Sequence, residues 1–418
     1  VSELRDHDPH LFRHEAPRMV AALTRIFGVQ RLALAEDVAQ DAICRALEVW
    51  KTRGIPENPS AWLMATAKNR ALDLLRRERT AQQLAPELSR ALVGDAELCS
   101  LVDVAFSAPT IRDEQLRMMF SCAHPRLPEA AQLALILNVL CGFGASEIAG
   151  ALLTGHAAIE KRISRGKKAL AGAELFDLAD AEFEARLDTV RRALYLLFSE
   201  GYHGSSDAPV RAELCEEALR LTSLLRQYPP ADSPTTRALA ALMYLHCARL
   251  PARLDVAGDL NALADQDRSR WDRALVAEGL RLFEASACGR ELSQYHVEAA
   301  IAAAHAAAAE LRDTNWALIV SLYDQLMRIA PSPVVALNRA IAIGELEGPE
   351  QGLRALRDID DAARLAHYPF YAAALGELEL RRGDRPAARQ QFHTALSLAR
   401  NASERRFLEK RLARALPD

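Results

Sequence analysis

The sequence predicts an all-α protein, and three observations carry that expectation. Ala and Leu dominate while aromatic residues make up 6% of the chain, a balance that favours helices over a sandwich or barrel. Apolar residues recur with helical spacing, and the C-terminal half has no strand pattern. Near the end an internal repeat of paired helices is visible. Half of the 418 residues are apolar, enough for a substantial core spread over several domains.

Composition also narrows the function. The net charge of −4 excludes a basic nucleic-acid coat, so any DNA-binding surface has to be local. Seven cysteines, at 44, 99, 122, 141, 215, 247 and 288, lie far apart without a Cys-x-x-Cys pair, which points to a reducing compartment. No N-terminal signal pattern is visible, and no apolar run approaches the length of about 18 residues that spans a bilayer. The expectation is a soluble, cytoplasmic protein with no membrane partner.

Residues 1–80 read as helices. In "AEDVAQDAICRALEVW" (35–50), Val38, Ala39, Ala42, Ile43, Ala46 and Leu47 form a buried stripe. Its first half is acidic, with Glu36, Asp37 and Asp41. A solvated helix start, where carboxylates favour the dipole, meets that pattern as well as a contact surface does.

The next segment, "NPSAWLMATAKNRALDLLRRERT" (58–80), has Asn58 as a cap and Pro59 at the first helical position. Leu63, Met64, Ala67, Ala71, Leu74 and Leu75 share one face, and Trp62, Thr66, Asn69, Asp73 and Arg76 the opposite one. A Trp on the polar side, in line with an Asn and just before a basic run, is the anomaly of this helix.

Residues 81–108 lose periodicity and read as a linker with one short helix. Residues 109–175 form the next domain. Its stretch 128–172 reads as three helices, with Gly142–Gly144 as the first break, Ser146 as a cap and Thr154–Gly155–His156 as a tight turn. Two short helices joined by such a turn are the helix-turn-helix signature. In the last of them Ile159, Ile163, Gly166 and Leu170 make a narrow core stripe. Residues 159–170 also hold five cations and one anion, Glu160. That face suits either a solvated basic helix end or a DNA groove, which takes short polar and cationic groups.

Residues 176–418 are helical almost throughout. "VALNRAIAIGELEGPEQGLRAL" (335–356) resembles "YAAALGELELRRGDRPAARQQF" (371–392), with Gly348 and Gly383 35 positions apart. A period near 34 with helix–turn–helix units is the tetratricopeptide signature, and such stacks leave a concave groove. Tyr202, His203 and Ser205 are adjacent in sequence and so make a poor catalytic triad. Cys122 and His124 have no second ligand pair at zinc spacing. No phosphate loop, paired metal motif or nucleophile elbow occurs, so no catalytic residue, metal or cofactor is expected and the chain is not an enzyme.

Taken together, "AEDVAQDAICRALEVW", "AWLMATAKNRALDLLRRER" and "LILNVLCGFGASEIAGALLTGHAAIEKRISRGKKAL" resemble regions 2 and 4 of extracytoplasmic-function sigma factors. "RALYLLFSEGYHGSS" (192–206), "DQDRSRWDRALVAEGL" (265–280) and "SPVVALNRAIAIGELEGP" (332–349) are similar to the subgroup with a long tetratricopeptide-like C-terminal extension. The resemblance covers nearly the whole chain.

It implies a region 2 domain over 1–80, a linker over 81–108, a region 4 helix-turn-helix domain over 109–175 and a helical extension over 176–418. It further implies a dissociable subunit that binds core RNA polymerase, through the β′ clamp helices and the β subunit, and promoter DNA. By the same resemblance Asp37, Gln40 and Asp41 face the clamp helices. Trp62, Asn69, Arg70, Asp73, Arg76 and Arg77 face the −10 element, with Asn69 reading an extruded base; stacking rings and edge-reading amides suit that task. Trp62 equally suits a brace for the adjoining loop. Lys161, Arg162, Ser164, Arg165, Lys167 and Lys168 face the −35 element. Glu160 and Gly166 depart from the family pattern, and a mid-helix Gly costs about 1 kcal/mol against Ala. The extension reads either as a regulator that docks on the sigma domains in cis or as structural shielding. The alternative for the whole chain is a helix-turn-helix tetratricopeptide scaffold that binds DNA or proteins without polymerase.

Overall fold

The computed structural model describes residues 3–83, 95–124, 127–151, 154–172, 183–203, 210–256, 258–289, 291–360 and 362–416. Among them there is no strand, only one isolated antiparallel bridge between Leu254 and Leu260. The chain divides into two compact units, Val1–Leu197 and Phe198–Asp418. No helix among the described residues is long and apolar enough to cross a membrane.

The first unit is organised around α1 (Glu3–Phe27), which packs on α2 (Leu32–Arg53), α3 (Pro59–Gln83), α4 (Asp95–Ala105) and α5 (Ala108–Cys122). Met19, Ala22 and Leu23 of α1 are fully buried there. The stripe predicted in α2 buries Val38, Ala39, Ala42 and Ala46 but leaves Ile43 half-buried and Leu47 40% exposed. The core-facing line runs from Ala46 to Trp50 instead, and Leu47 lies about 100° round the helix from Ala46. Asn58 caps α3 as its sequence predicts, accepting from the Ala61 amide at 2.9 Å. The linker's short helix is α4; residues 84–94 of the predicted linker lie outside the described residues.

The helix-turn-helix part follows. After α5 come α6 (Glu129–Leu135), a π-type turn over Ile136–Leu140, α7 (Ala145–Ala151) and α8 (His156–Ala171). Gly142, at φ +66°, makes the first break. Ser146 is not the cap of α7. It lies inside the first turn, and the Glu147 carboxylate accepts from the Gly144 amide at 2.9 Å instead. His156 opens α8 rather than closing the turn. The next helix, α9 (Phe183–His203), begins against this region: Phe183 stacks on Phe120 at 4.7 Å, and Arg186 donates to the Phe120 carbonyl at 3.2 Å. Arg192 also pairs with Glu129 at 2.8 Å. The first unit therefore runs past residue 175 to Leu197.

The second unit continues with α10 (Ala212–Arg226), α11 (Pro234–Cys247), the short α12 (Leu250–Arg253), α13 (Arg273–Ser286), α14 (Gln294–Ala307) and α15 (Trp316–Ile329). The predicted repeat is two helical hairpins, α16 (Pro333–Glu347) with α17 (Pro349–Arg357), and α18 (Pro369–Arg382) with α19 (Arg385–Ser397). Gly348 and Gly383 form the two joints at φ +97° and +93°, where a side chain would be strained.

The last helix, α20 (Ala402–Arg414), is held against the segment after α12. Arg406 pairs with Asp259 at 2.5 Å, and Lys410 with Asp255 at 2.6 Å and Asp259 at 2.7 Å. Arg411 and Arg414 both reach Asp265. The stack is thus tied back on its own early loop rather than left open at its end.

His246 and His305 lie inside this unit. Burial, then the neighbouring Arg249, lowers both imidazoles well below their usual range, His305 to about 3. Both are neutral when folded and titrate at about 6.5 once unfolded. The unfolded chain therefore binds more protons below that value, and stability is full above it and declines as pH falls. Between about pH 6.5 and about pH 5 each histidine should remove stability at roughly 1 kcal/mol per pH unit. Thermal unfolding of the full chain across this window checks the slope, and His305→Gln should flatten it. A midpoint independent of pH there would contradict the assignment.

Candidate nucleic-acid and polymerase interface

Helix α3 presents its polar residues as the wheel predicts. Leu63, Ala67 and Ala71 are fully buried, Leu72 joins them, and Asn69, Asp73, Arg76 and Arg77 are exposed on the other side. Met64, Leu74 and Leu75 are half-buried.

Trp62 stands at the head of this ridge and is itself half-buried. Its ring meets Trp50 edge-on at 5.5 Å, and Trp50 in turn stacks on Phe12 at 5.6 Å. Trp62 therefore braces the core of α2 while part of its surface faces solvent. Neither Trp50 nor Phe12 is near Trp62 in sequence, so spacing alone does not reveal the brace.

Three acids that would oppose a basic ridge are already engaged. Glu78, inside the Arg run, pairs with Arg31 at 2.5 Å, which lowers its carboxyl below the usual range. Asp103 of α4 pairs with Lys68. Asp41 of α2 reaches Arg70 at 3.3 Å, so the acidic turn and the α3 ridge are joined by one ion pair. Arg76 lies 3.8 Å from the Cys99 sulfur of α4. Asp37, Gln40 and Asp41 are all exposed.

On α8, Lys161, Ser164, Arg165 and Lys168 are exposed, opposite buried Ile159, Gly166 and Leu170. Ile163 and Arg162 are half-buried. Lys167 does not share the outward face: its ammonium binds the Glu36 carboxylate of α2 at 2.6 Å. Glu160 instead faces out and lies 3.6 Å from His156. A contact between residues 131 apart leaves no periodic trace in sequence.

Gly166 has a packing reason. A Cβ there would sit 2.5 Å from Leu135 Cδ1 and 2.7 Å from its Cγ. The glycine lets α8 approach α6.

The first unit thus carries two exposed helical faces, one polar and ring-flanked on α3 and the other basic on α8 within the helix-turn-helix. Comparison with known proteins specifies the class. Residues 11–81 match the family model of sigma-70 region 2 and residues 117–170 that of sigma-70 region 4. Residues 186–287 match a family of unknown function, DUF6596. An uncharacterized protein of Rhizobium meliloti (strain 1021) is 39% identical over 401 residues, covering 95% of this chain and 93% of the relative. The chain belongs to the extracytoplasmic-function sigma factors that carry a helical C-terminal extension. Its sigma regions provide promoter recognition and binding to core RNA polymerase.

Two outcomes follow from this geometry. Trp62→Ala should lower the unfolding free energy by about 1–2 kcal/mol, through the lost ring contact and burial, while Trp62→Phe retains most of it. Denaturant unfolding without DNA checks this; an unchanged midpoint for the Ala variant would leave the ring no bracing role. Gly166→Ala should destabilise despite the helix propensity of Ala, because overpacking of about 1–3 kcal/mol exceeds a propensity gain of about 1 kcal/mol. Adding Leu135→Ala should relieve the clash, so a double-mutant cycle should show favourable coupling.

Proposed function

We propose that the ridge of α3 reads the −10 element, that the outward face of α8 reads the −35 element, and that the turn of Asp37, Gln40 and Asp41 docks on the clamp helices of the polymerase β′ subunit. The observation carrying the reading is the exposure of Asn69, Asp73, Arg76 and Arg77 opposite a fully buried line, with Trp62 at its head. In this reading Asn69 takes an extruded base through its amide, and Arg76 and Arg77 hold phosphates. Arg70 positions rather than contacts, since Asp41 already engages it. On α8 the groove-facing set is Lys161, Arg162, Ser164, Arg165 and Lys168. Lys167 joins it only when Glu36 lets go.

Asn69→Ala should relax preference at one −10 position, a discrimination of about 1–3 kcal/mol. Arg77→Ala should weaken all promoters alike and reduce the salt slope. Run-off transcription with core polymerase over a set of −10 variants checks both. An unchanged promoter ranking for Asn69→Ala would remove Asn69 from the reading.

The extension, in this proposal, regulates the sigma regions in cis. Its support is α9, whose first turns are anchored on α5 and α6 through Phe183, Arg186 and Arg192 and whose last turn belongs to the second unit. A change in the extension would thus act on the helix that begins on region 4. Of the predicted docking partner, the linker, residues 84–94 lie outside the described residues. Hydrogen exchange on the full chain and on a chain ending after His203 tests the proposal. Greater protection of α5–α8 in the full chain is expected; identical protection would favour an external partner.

A further inference from the structure

A cavity of about 190 Å³ lies within the second unit, where α20 returns to the early loop. Arg253, at the end of α12, lines it. The guanidinium stacks 4.1 Å above the Tyr202 ring, its Nε donates to the Tyr202 carbonyl at 3.2 Å, and one Nη2 hydrogen faces His203 Nδ1 at 3.0 Å. A guanidinium has five N–H donors, and these bonds use two. No carboxylate among the described residues pairs with Arg253. The cavity's other charges cancel: Arg400 and Glu404 bind each other through several contacts, the nearest at 2.5 Å. Glu404 also accepts from the Arg400 amide at 3.0 Å.

The remaining wall supplies a second donor and an apolar side. Asn401 caps α20 through its carbonyl oxygen, which accepts from the Glu404 amide at 2.9 Å, so its NH₂ is left over. Leu260 and the rings of Tyr368 and Phe370, whose centroids are 5.4 Å apart, complete the lining.

We infer that this cavity binds a small organic carboxylate with a compact apolar body, its oxygens on the free N–H groups of Arg253 and the amide of Asn401, its body against Leu260, Tyr368 and Phe370. A guanidinium presents the fork that a carboxylate matches, and a half-buried cation without a counter-ion gains most from one. The rings favour an apolar body over inorganic phosphate, which fills the donors but leaves that wall unpartnered. Such a ligand would join the end of α12 to the start of α20, a helix already tied to the segment after α12 by the Asp255 and Asp259 ion pairs. It would stabilise the tied-back extension by mass action. The inference does not depend on the promoter reading.

Calorimetric titration and thermal unfolding of the full chain test it, with acetate, isovalerate and benzoate as carboxylate probes, benzamide as the uncharged isostere, and inorganic phosphate. One carboxylate per chain should bind and raise the unfolding midpoint, isovalerate or benzoate more tightly than acetate, and benzamide should do neither. Arg253→Gln should weaken binding at least about tenfold. Leu260→Trp, which fills the cavity and keeps Arg253, should abolish it. Circular dichroism establishes that each variant is folded, and Leu260→Trp decides if Arg253→Gln is not. Equal binding of benzoate and benzamide, binding unchanged in the folded variants, phosphate bound in preference to every carboxylate, or no carboxylate bound would each overturn the assignment.

Discussion

Helix α1 is shared by both DNA-binding halves of the first unit, and the rest of that unit depends on how firmly it holds them. Helix α1 packs on α2 and α3 and also on α5. The apolar part of this packing, around Met19, Ala22 and Leu23, is fully buried. The polar part is weaker. Arg13 reaches Glu147 at 2.9 Å and Arg25 reaches Glu114 at 3.4 Å. Burial raises the Glu114 carboxyl despite Arg117 and Arg25 nearby, so that acid is incompletely compensated. The Lys167–Glu36 pair, about 29% exposed on each side, adds at most about 1 kcal/mol. In the proposed reading, α3 and α8 contact two promoter elements on one duplex, and their surfaces have to separate to reach both. A seam of marginal ion pairs is compatible with that, whereas a continuous apolar interface would oppose it.

Other ion pairs of the first unit set the charge of the exposed face of α3. The chain is acidic overall, yet the ridge of α3 keeps its positive end because Glu78 is absorbed by Arg31. Asp41 compensates Arg70 at the other end. Local charge is thus arranged by pairing rather than by composition, and a net charge of −4 does not oppose phosphate binding at one face.

Much of this was legible because helices advertise themselves locally. The Asn58 cap, the buried line of α3, the basic face of α8 and the hairpins around Gly348 and Gly383 all follow from spacing within one or two turns. What spacing does not carry is the partner across the fold. Leu47 satisfies the α2 stripe by period, but Trp50 takes the core position. Ser146 has the right chemistry for a cap, but Glu147 reaches the free amide from inside the helix. Lys167 sits on the basic face by angle and is drawn off it by Glu36. Gly166 was visible as a departure, and only Leu135 explains it. The tie between α20 and Asp255, Asp259 and Asp265 joins residues about 150 positions apart, beyond any periodic signal.

A second rule runs through both units and is also invisible to periodicity: arginines bind the carbonyls at helix C-termini. Arg186 donates near the end of α5, Arg237 near the end of α13, Arg253 to the end of α9, and Arg381 to the last turn of α16. Arg268 is the fullest case. It donates to the carbonyls of His305 and Ala308 at the end of α14, both at 2.9 Å, and to the Thr314 hydroxyl at 3.0 Å. The unsatisfied carbonyls and the negative end of the helix dipole compensate the cation without a carboxylate. This explains how Arg268 is buried with only distant acids nearby. It also isolates Arg253, which has one such carbonyl and an imidazole where Arg268 has three oxygen acceptors. The contrast between two cations in one unit, one held by two carbonyls and a hydroxyl and one facing open space, is what marks the second as a place where an anion belongs.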